Sequence, residues 1–98
     1  MKVDLSRRAQ REMQRIAARW RENASSPAVF LDELEQTIEH IETTSVLGAV
    51  YDAKARRTVH RRLMKKSACH VYLVRQSAEL IVIVSIWGAR RRRGPKFR

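Results

Sequence analysis

Cysteine, proline and glycine are all scarce in this 98-residue chain, which has one, two and three of them respectively. The lone Cys69 excludes a disulfide framework within the chain and any paired-cysteine zinc or redox motif. Gly48, Gly88 and Gly94 are not spaced as a phosphate-cradling loop, so the conventional nucleotide-binding fingerprints are excluded too. The longest apolar run, Leu80–Val84, falls far short of the about 20 residues that span a bilayer. The opening MKVDLSRRAQRE has no apolar stretch between its charges, so it does not read as a secretory signal. These absences predict one soluble cytoplasmic domain, residues 1–98, with no membrane partner.

Acidic residues are the most informative scarcity. Residues 54–98 hold 14 Lys/Arg against the single acid Glu79, whereas residues 1–53 hold 7 against 9, and the net charge is +11. An asymmetry of that size predicts a polyanionic or acidic partner for the C-terminal half, the alternative being a merely solubilising surface. Its sign does not separate DNA, RNA, a membrane surface and an acidic protein segment.

The same scarcity argues against paired-carboxylate catalysis in the basic half, because Glu79 stands alone at an expected hairpin turn. His40, His60 and His70 have no metal-ligand spacing with one another or with Cys69. Adjacent Cys69 and His70 point to opposite faces of a strand, which argues against a catalytic dyad. His60 facing His70 across neighbouring strands reads as a surface or edge pair. The expectation is no catalytic residue, no metal and no cofactor.

Hydrophobic periodicity predicts an α+β fold. Met1, Val3 and Leu5 alternate with Lys2 and Asp4 as in a short strand, and Ser6 stands at an N-cap position. Ala9, Met13, Ile16, Ala17, Trp20 and Ala24 then form one helical stripe among arginines. After the turn Asn23–Pro27, with Ser26 and Pro27 as cap and first-turn residue, a second helix reads from Pro27 to about Thr43. Its stripe is Phe30, Leu31, Leu34, Ile38 and Ile41, its acids are expected on the solvent faces, and the short connection predicts an antiparallel helical hairpin. Thr44–Lys54 reads as loop. Arg57–Lys66, Cys69–Arg75 and Glu79–Trp87 then read as a three-stranded antiparallel meander completing one sheet, the last strand central and apolar on both faces. Residues 89–98 read as a basic tail.

The candidate target- or nucleic-acid-binding residues are Arg61, Arg62, Lys65, Lys66, Arg75 and the run Arg90, Arg91, Arg92 and Arg93. In a regular strand Arg61 and Lys65 share the face of Val59 and Leu63, while His60, Arg62 and Lys66 take the other. Charge on both faces suggests a position near a sheet edge, where lysine and arginine also deter aggregation. Trp87 and Tyr72 are candidates for stacking on bases, with burial in the core as the alternative.

Arg61-Arg62-Leu63, His70-Val71-Tyr72-Leu73-Val74, and Leu80 through Trp87-Gly88-Ala89-Arg90 with Gly94-Pro95 together resemble the RelE/ParE superfamily. The opening Val3-Asp4-Leu5-Ser6 with Ala9 and Ile16 extends that resemblance over nearly the whole chain. These are toxins of bacterial type II toxin–antitoxin, or plasmid-stabilisation, modules. The resemblance implies a basic toxin neutralised in a hetero-oligomer by a cognate, ParD-like antitoxin, with Met13, Ile16 and Trp20 as candidate antitoxin contacts. It also implies one of two targets. ParE-like members poison DNA gyrase without a hydrolytic site; RelE-like members cut mRNA in the ribosome, commonly with a Tyr or His near the C-terminus. No Tyr or His follows Trp87, which favours the ParE-like target. The RelE-like alternative would use Arg61, Lys65 and Arg75 as transition-state cations. A third reading, from another class, is a nucleic-acid-binding accessory protein.

Overall fold

Alternation at one end of the chain and helical stripes at the other have to be buried against each other, and a computed structural model gives the arrangement. It describes residues 1–23, 25–54, 56–90 and 93–97, Asn23 through its backbone alone. The order is β1 (Lys2–Leu5), α1 (Arg7–Asn23), α2 (Val29–Thr44), β2 (Ala49–Lys54), β3 (Arg57–Met64), β4 (Cys69–Arg75) and β5 (Leu80–Gly88). The strands form one five-stranded sheet in the order β1-β5-β4-β3-β2. β1 runs parallel to β5, and the remaining neighbours are antiparallel.

The α+β class and the meander follow the periodicity, but the sheet has one more strand than it predicts. Residues 49–54, expected as loop, are the edge strand β2. A register shift between Val50 and Asp52 interrupts its pairing with β3, and its side chains stay largely exposed, so no alternation marks it. With β2 outside it, β3 is an inner strand and not an edge. It ends at Met64, so Lys65 and Lys66 lie in the following turn and do not alternate with Leu63. His60 pairs with Leu73 and His70 with Leu63, so the two histidines do not face each other.

The helices cover one face of the sheet. Ala9, Ile16 and Ala17 of α1 and Phe30, Leu34 and Ile41 of α2 share a core with Val71, Leu73, Ile81, Ile83 and Ile86. Met13, Trp20 and Ile38 pack partly buried against it, whereas Leu31, expected in the same stripe, is exposed; Ala24 lies outside the described residues. Ser6 does cap α1: its hydroxyl oxygen accepts the Ala9 N–H at 3.1 Å and donates to the Val84 carbonyl at 3.2 Å. The second helix instead begins at Val29, after an Ala28 N-cap with no side-chain bond, and not on Ser26-Pro27.

The other sheet face is open to a smaller cluster of Val59, Tyr72 and Phe97, bordered by Tyr51, Val74, Val84 and Trp87. Burial of Pro95 and Phe97 there means that the end of the chain folds back over the sheet and is not a free tail. Among the described residues, no helix is long and apolar enough to cross a membrane.

Candidate functional site

The open face gathers aromatic rings and guanidinium groups because β3 and β4 each contribute residues of one parity, while the register shift in β2 brings Tyr51 to them. Arg61 pairs in register with Tyr72, and Leu63 with His70. The Tyr51 and Tyr72 rings meet edge-on at 4.7 Å, and the Arg61 guanidinium lies 5.5 Å from the Tyr51 ring centre, a cation–π distance. Arg8 and Arg57 stand 5.3 and 5.8 Å from the ring centre of Phe97. Burial raises the Tyr72 hydroxyl pKa against the opposing hydrogen bond and charge of Arg61. Burial, with Arg61 nearby, lowers that of His70, so the imidazole is held toward its neutral form. Tyr72 is only 2% exposed and is a core ring, not a stacking platform.

The sequence-selected cations do not converge. Among the described ones, Arg61 lies on the open face, against the Tyr51 ring. Arg62 turns to the helix side, where Nη1 donates to the Val46 carbonyl at 2.9 Å and Nη2 donates to His40 Nδ1 at 2.6 Å. With His60 Nδ1 3.1 Å from the Gly48 carbonyl, these bonds fasten the link between α2 and β2. Lys65 and Lys66 sit in the β3–β4 turn, and Arg75 lies exposed at the opposite end of β4. Arg61, Lys65 and Arg75 therefore do not form one phosphate-binding trio. Trp87 is half-buried, and its indole N–H donates to Glu12 Oε2 at 2.7 Å. Arg90 and Arg93 are exposed; Arg91 and Arg92 lie outside the described residues.

A second concavity brings together residues from both parts of the chain. Ile16, Arg19 and Trp20 of α1, Ser67 and Ala68 of the turn, Cys69 of β4 and Gly88 of β5 line a groove of about 360 Å³. Lys66 and Arg90 continue its rim beside Trp20. Of the three candidate partner contacts on α1, Ile16 and Trp20 line this groove and Met13 does not. Cys69, at its base, is buried, and that burial raises its thiol pKa.

Sequence reasoning missed the work of the glutamates. Glu12 Oε1 accepts from the Ser85 hydroxyl at 2.7 Å and the Ile86 N–H at 3.1 Å, covering the edge of β5 beyond the end of β1. Glu42 accepts the Val3 N–H at 3.0 Å on the outer edge of β1. Glu33 accepts from the main-chain N–H groups of Lys66 and Ser67, both at 2.8 Å, and from the Ser67 hydroxyl at 2.6 Å. The acids of α2 are thus not all on solvent faces: two of them close exposed main-chain donors. No protein-family model matches the chain, and no curated protein matches it in sequence.

Proposed function

We propose that the chain is a cytoplasmic toxin of a type II toxin–antitoxin module, of the RelE/ParE type, that arrests growth by poisoning DNA gyrase. Its partner is a cognate, ParD-like antitoxin that holds it inactive in a hetero-oligomer. The observation that carries this reading is the state of the C-terminal aromatics. The one polar atom of Trp87 is committed to Glu12, and Phe97 has no ionisable group. Neither Trp87 nor Phe97 carries an acid or base of its own to move a proton, which favours a binding inhibitor over a nuclease. The groove beside Ile16 and Trp20, rimmed by Arg19, Lys66 and Arg90, suits an amphipathic segment that carries acids.

The test is a supercoiling and cleavage assay with purified gyrase and antitoxin-free protein, scored for trapped linear DNA. Trapped or inhibited gyrase is the expected result; folded protein that leaves gyrase untouched overturns it. One observation favours a second reading, ribosome-dependent mRNA cleavage. His70, held toward the neutral imidazole, stands beside Arg61 on the open face, where a base and a cation could serve a 2′-hydroxyl nucleophile. Loss of mRNA cleavage in His70→Gln, with gyrase unaffected by the wild type, would establish that alternative.

A further inference from the structure

The groove beside α1 exists because of what position 88 lacks. Ile86 lies in the core between α1 and the sheet, and the next inward position of β5 is Gly88, paired in register with Cys69. The fold does not require glycine there. Its φ is not positive, and a Cβ at that position would meet no atom within 4 Å. A side chain would bury apolar surface beside Trp20; glycine forgoes that burial and adds freedom to the unfolded chain. A strand glycine with neither a backbone nor a packing cause marks a place where something else approaches the main chain. Ala68, on the adjoining wall, is the reverse case. It holds φ 54° with a Cβ, where glycine would be unstrained, and its carbonyl accepts the Ala89 N–H at 2.8 Å. Strain of this kind clusters where ligands are held.

The hollow has an apolar floor and a cationic rim. Trp20 packs partly against the core and also lines the groove, whose volume of about 360 Å³ lies at the low end for small-molecule sites. Lys66 and Arg90, both exposed, stand on the rim. Arg19 is already engaged within the fold and adds charge to the site, not an open donor. Two acids border the groove, and both are committed. Glu33, behind the turn, holds Lys66 and Ser67; Glu12, in the adjoining hollow with Arg15, holds Ser85, Ile86 and Trp87. Arg15, Arg19, Lys66 and Arg90 against Glu12 and Glu33 leave an excess of positive charge. An aromatic wall, a floor without a side chain and that excess fit a planar ring that carries an anion. We infer that the groove is a mononucleotide site: the base lies between Trp20 and the main chain of Gly88, and the phosphate reaches Lys66 and Arg90. It needs no glycine-rich loop, since side chains and not main-chain amides hold the phosphate. The volume suits one nucleotide and not a run of them. Binding is measured on the chain alone and does not rest on the toxin reading; on that reading the nucleotide competes with the antitoxin segment for the groove.

The probe is adenosine monophosphate, titrated into the full-length chain at low salt by calorimetry. It should bind at least about tenfold more tightly than adenosine, which keeps only the ring, or inorganic phosphate, which keeps only the anion. Gly88→Val fills the hollow. It should melt at or above the wild-type temperature yet bind the nucleotide at least about tenfold more weakly, a pairing that a merely structural glycine does not give. Trp20→Leu should lose about tenfold, whereas Trp20→Phe, which keeps a ring, should stay within about threefold. The net charge of +11 attracts any anion, but neither Gly88→Val nor Trp20→Leu alters it, so these losses report the groove. The exposed pair Lys66→Gln and Arg90→Gln, which leaves the core intact, should bring the nucleotide down to the level of adenosine, and it decides the matter if the groove variants do not melt cooperatively. A wild type that binds no nucleotide, or a folded Gly88→Val that binds it unchanged, overturns the site. Equal binding of adenosine and the nucleotide overturns the role of the rim cations. Weaker binding of a short oligoadenylate, but not of the mononucleotide, by Gly88→Val overturns the free nucleotide in favour of a strand.

Discussion

Glu12 on α1 and Trp87 at the end of β5 are joined by an indole N–H donated to Glu12 Oε2 at 2.7 Å. The other carboxylate oxygen takes the Ser85 hydroxyl and the Ile86 N–H, so one side chain satisfies three donors of β5. Arg8 stands 3.8 Å from the same carboxylate and also holds the Lys96 carbonyl, which couples the strand end to the returning C-terminus. Glu12→Gln keeps the shape but offers one accepting oxygen and no charge. It should cost about 1–3 kcal/mol, the range for losing hydrogen bonds to a charged acceptor. A urea unfolding series checks this, and the loss of the indole bond should appear as a changed tryptophan emission before unfolding begins.

Glu33 makes a different kind of prediction, because its titration is linked to folding. Burial raises its pKa, but the hydrogen bonds from the Ser67 hydroxyl and from the N–H groups of Lys66 and Ser67, with the Lys66 charge, outweigh burial and leave it lowered. A carboxylate whose folded pKa lies below its unfolded one contributes stability above the unfolded value. That contribution is lost as pH falls through the folded value. Unfolding midpoints should therefore decline from neutral pH down through the carboxylate range, and Glu33→Gln should flatten part of that decline. An unchanged slope in the variant would mean that the linkage lies in other acids.

How much of this was legible follows from what each residue packs against. The stripes Ala9–Ile16–Ala17 and Phe30–Leu34–Ile41 and the run Leu80–Ile86 could be read because each has a single buried face, or two, that imposes a period. β2 could not, since Val50 is 60% exposed and a register shift breaks its alternation; backbone pairing with β3 holds it, and sequence carries no periodic trace of that. The glutamates were hidden for a related reason. Their partners are main-chain N–H groups 33 to 74 residues away, which no local spacing reveals. The charge asymmetry did point to the basic half as the interactive one, yet the cations it selected are divided among the open face, the helix side, a turn and the far end of β4. Tyr51, Arg8 and Phe97, which share the open face, come from three separate parts of the chain.

Two backbone positions with positive φ should respond to substitution in opposite senses. Gly48 has φ +105°, and a Cβ there would lie 2.4 Å from the Arg61 carbonyl oxygen. Gly48→Ala should destabilise by about 2 kcal/mol or more, combining strain with a main-chain collision. Ala68, in the β3–β4 turn, has φ 54° and already bears the strain of a left-handed residue with a Cβ. Ala68→Gly should stabilise by about 0.5–1 kcal/mol, the relief exceeding the entropy that glycine adds to the unfolded chain. Thermal melts of the pair measure both signs in one experiment.

Ala89, the residue before the arginine run, is fixed by its N–H, which donates to the Ala68 carbonyl at 2.8 Å beside the groove. Arg90 belongs to the groove rim with Lys66 and Trp20, and that position separates its role from the arginines that follow it. On the proposed toxin reading, replacing Arg91, Arg92 and Arg93 with Gln should abolish gyrase trapping while leaving the melt and antitoxin affinity unchanged. Arg90→Gln alone should instead weaken antitoxin binding about two- to fivefold, the range for one partly solvated rim charge, with a shallower salt dependence. Supercoiling assays and titration calorimetry on the two variants give the comparison. Retained trapping in the triple variant would reduce the run to a solubilising surface, and equal loss of both functions in either variant would mean that target and antitoxin share one face.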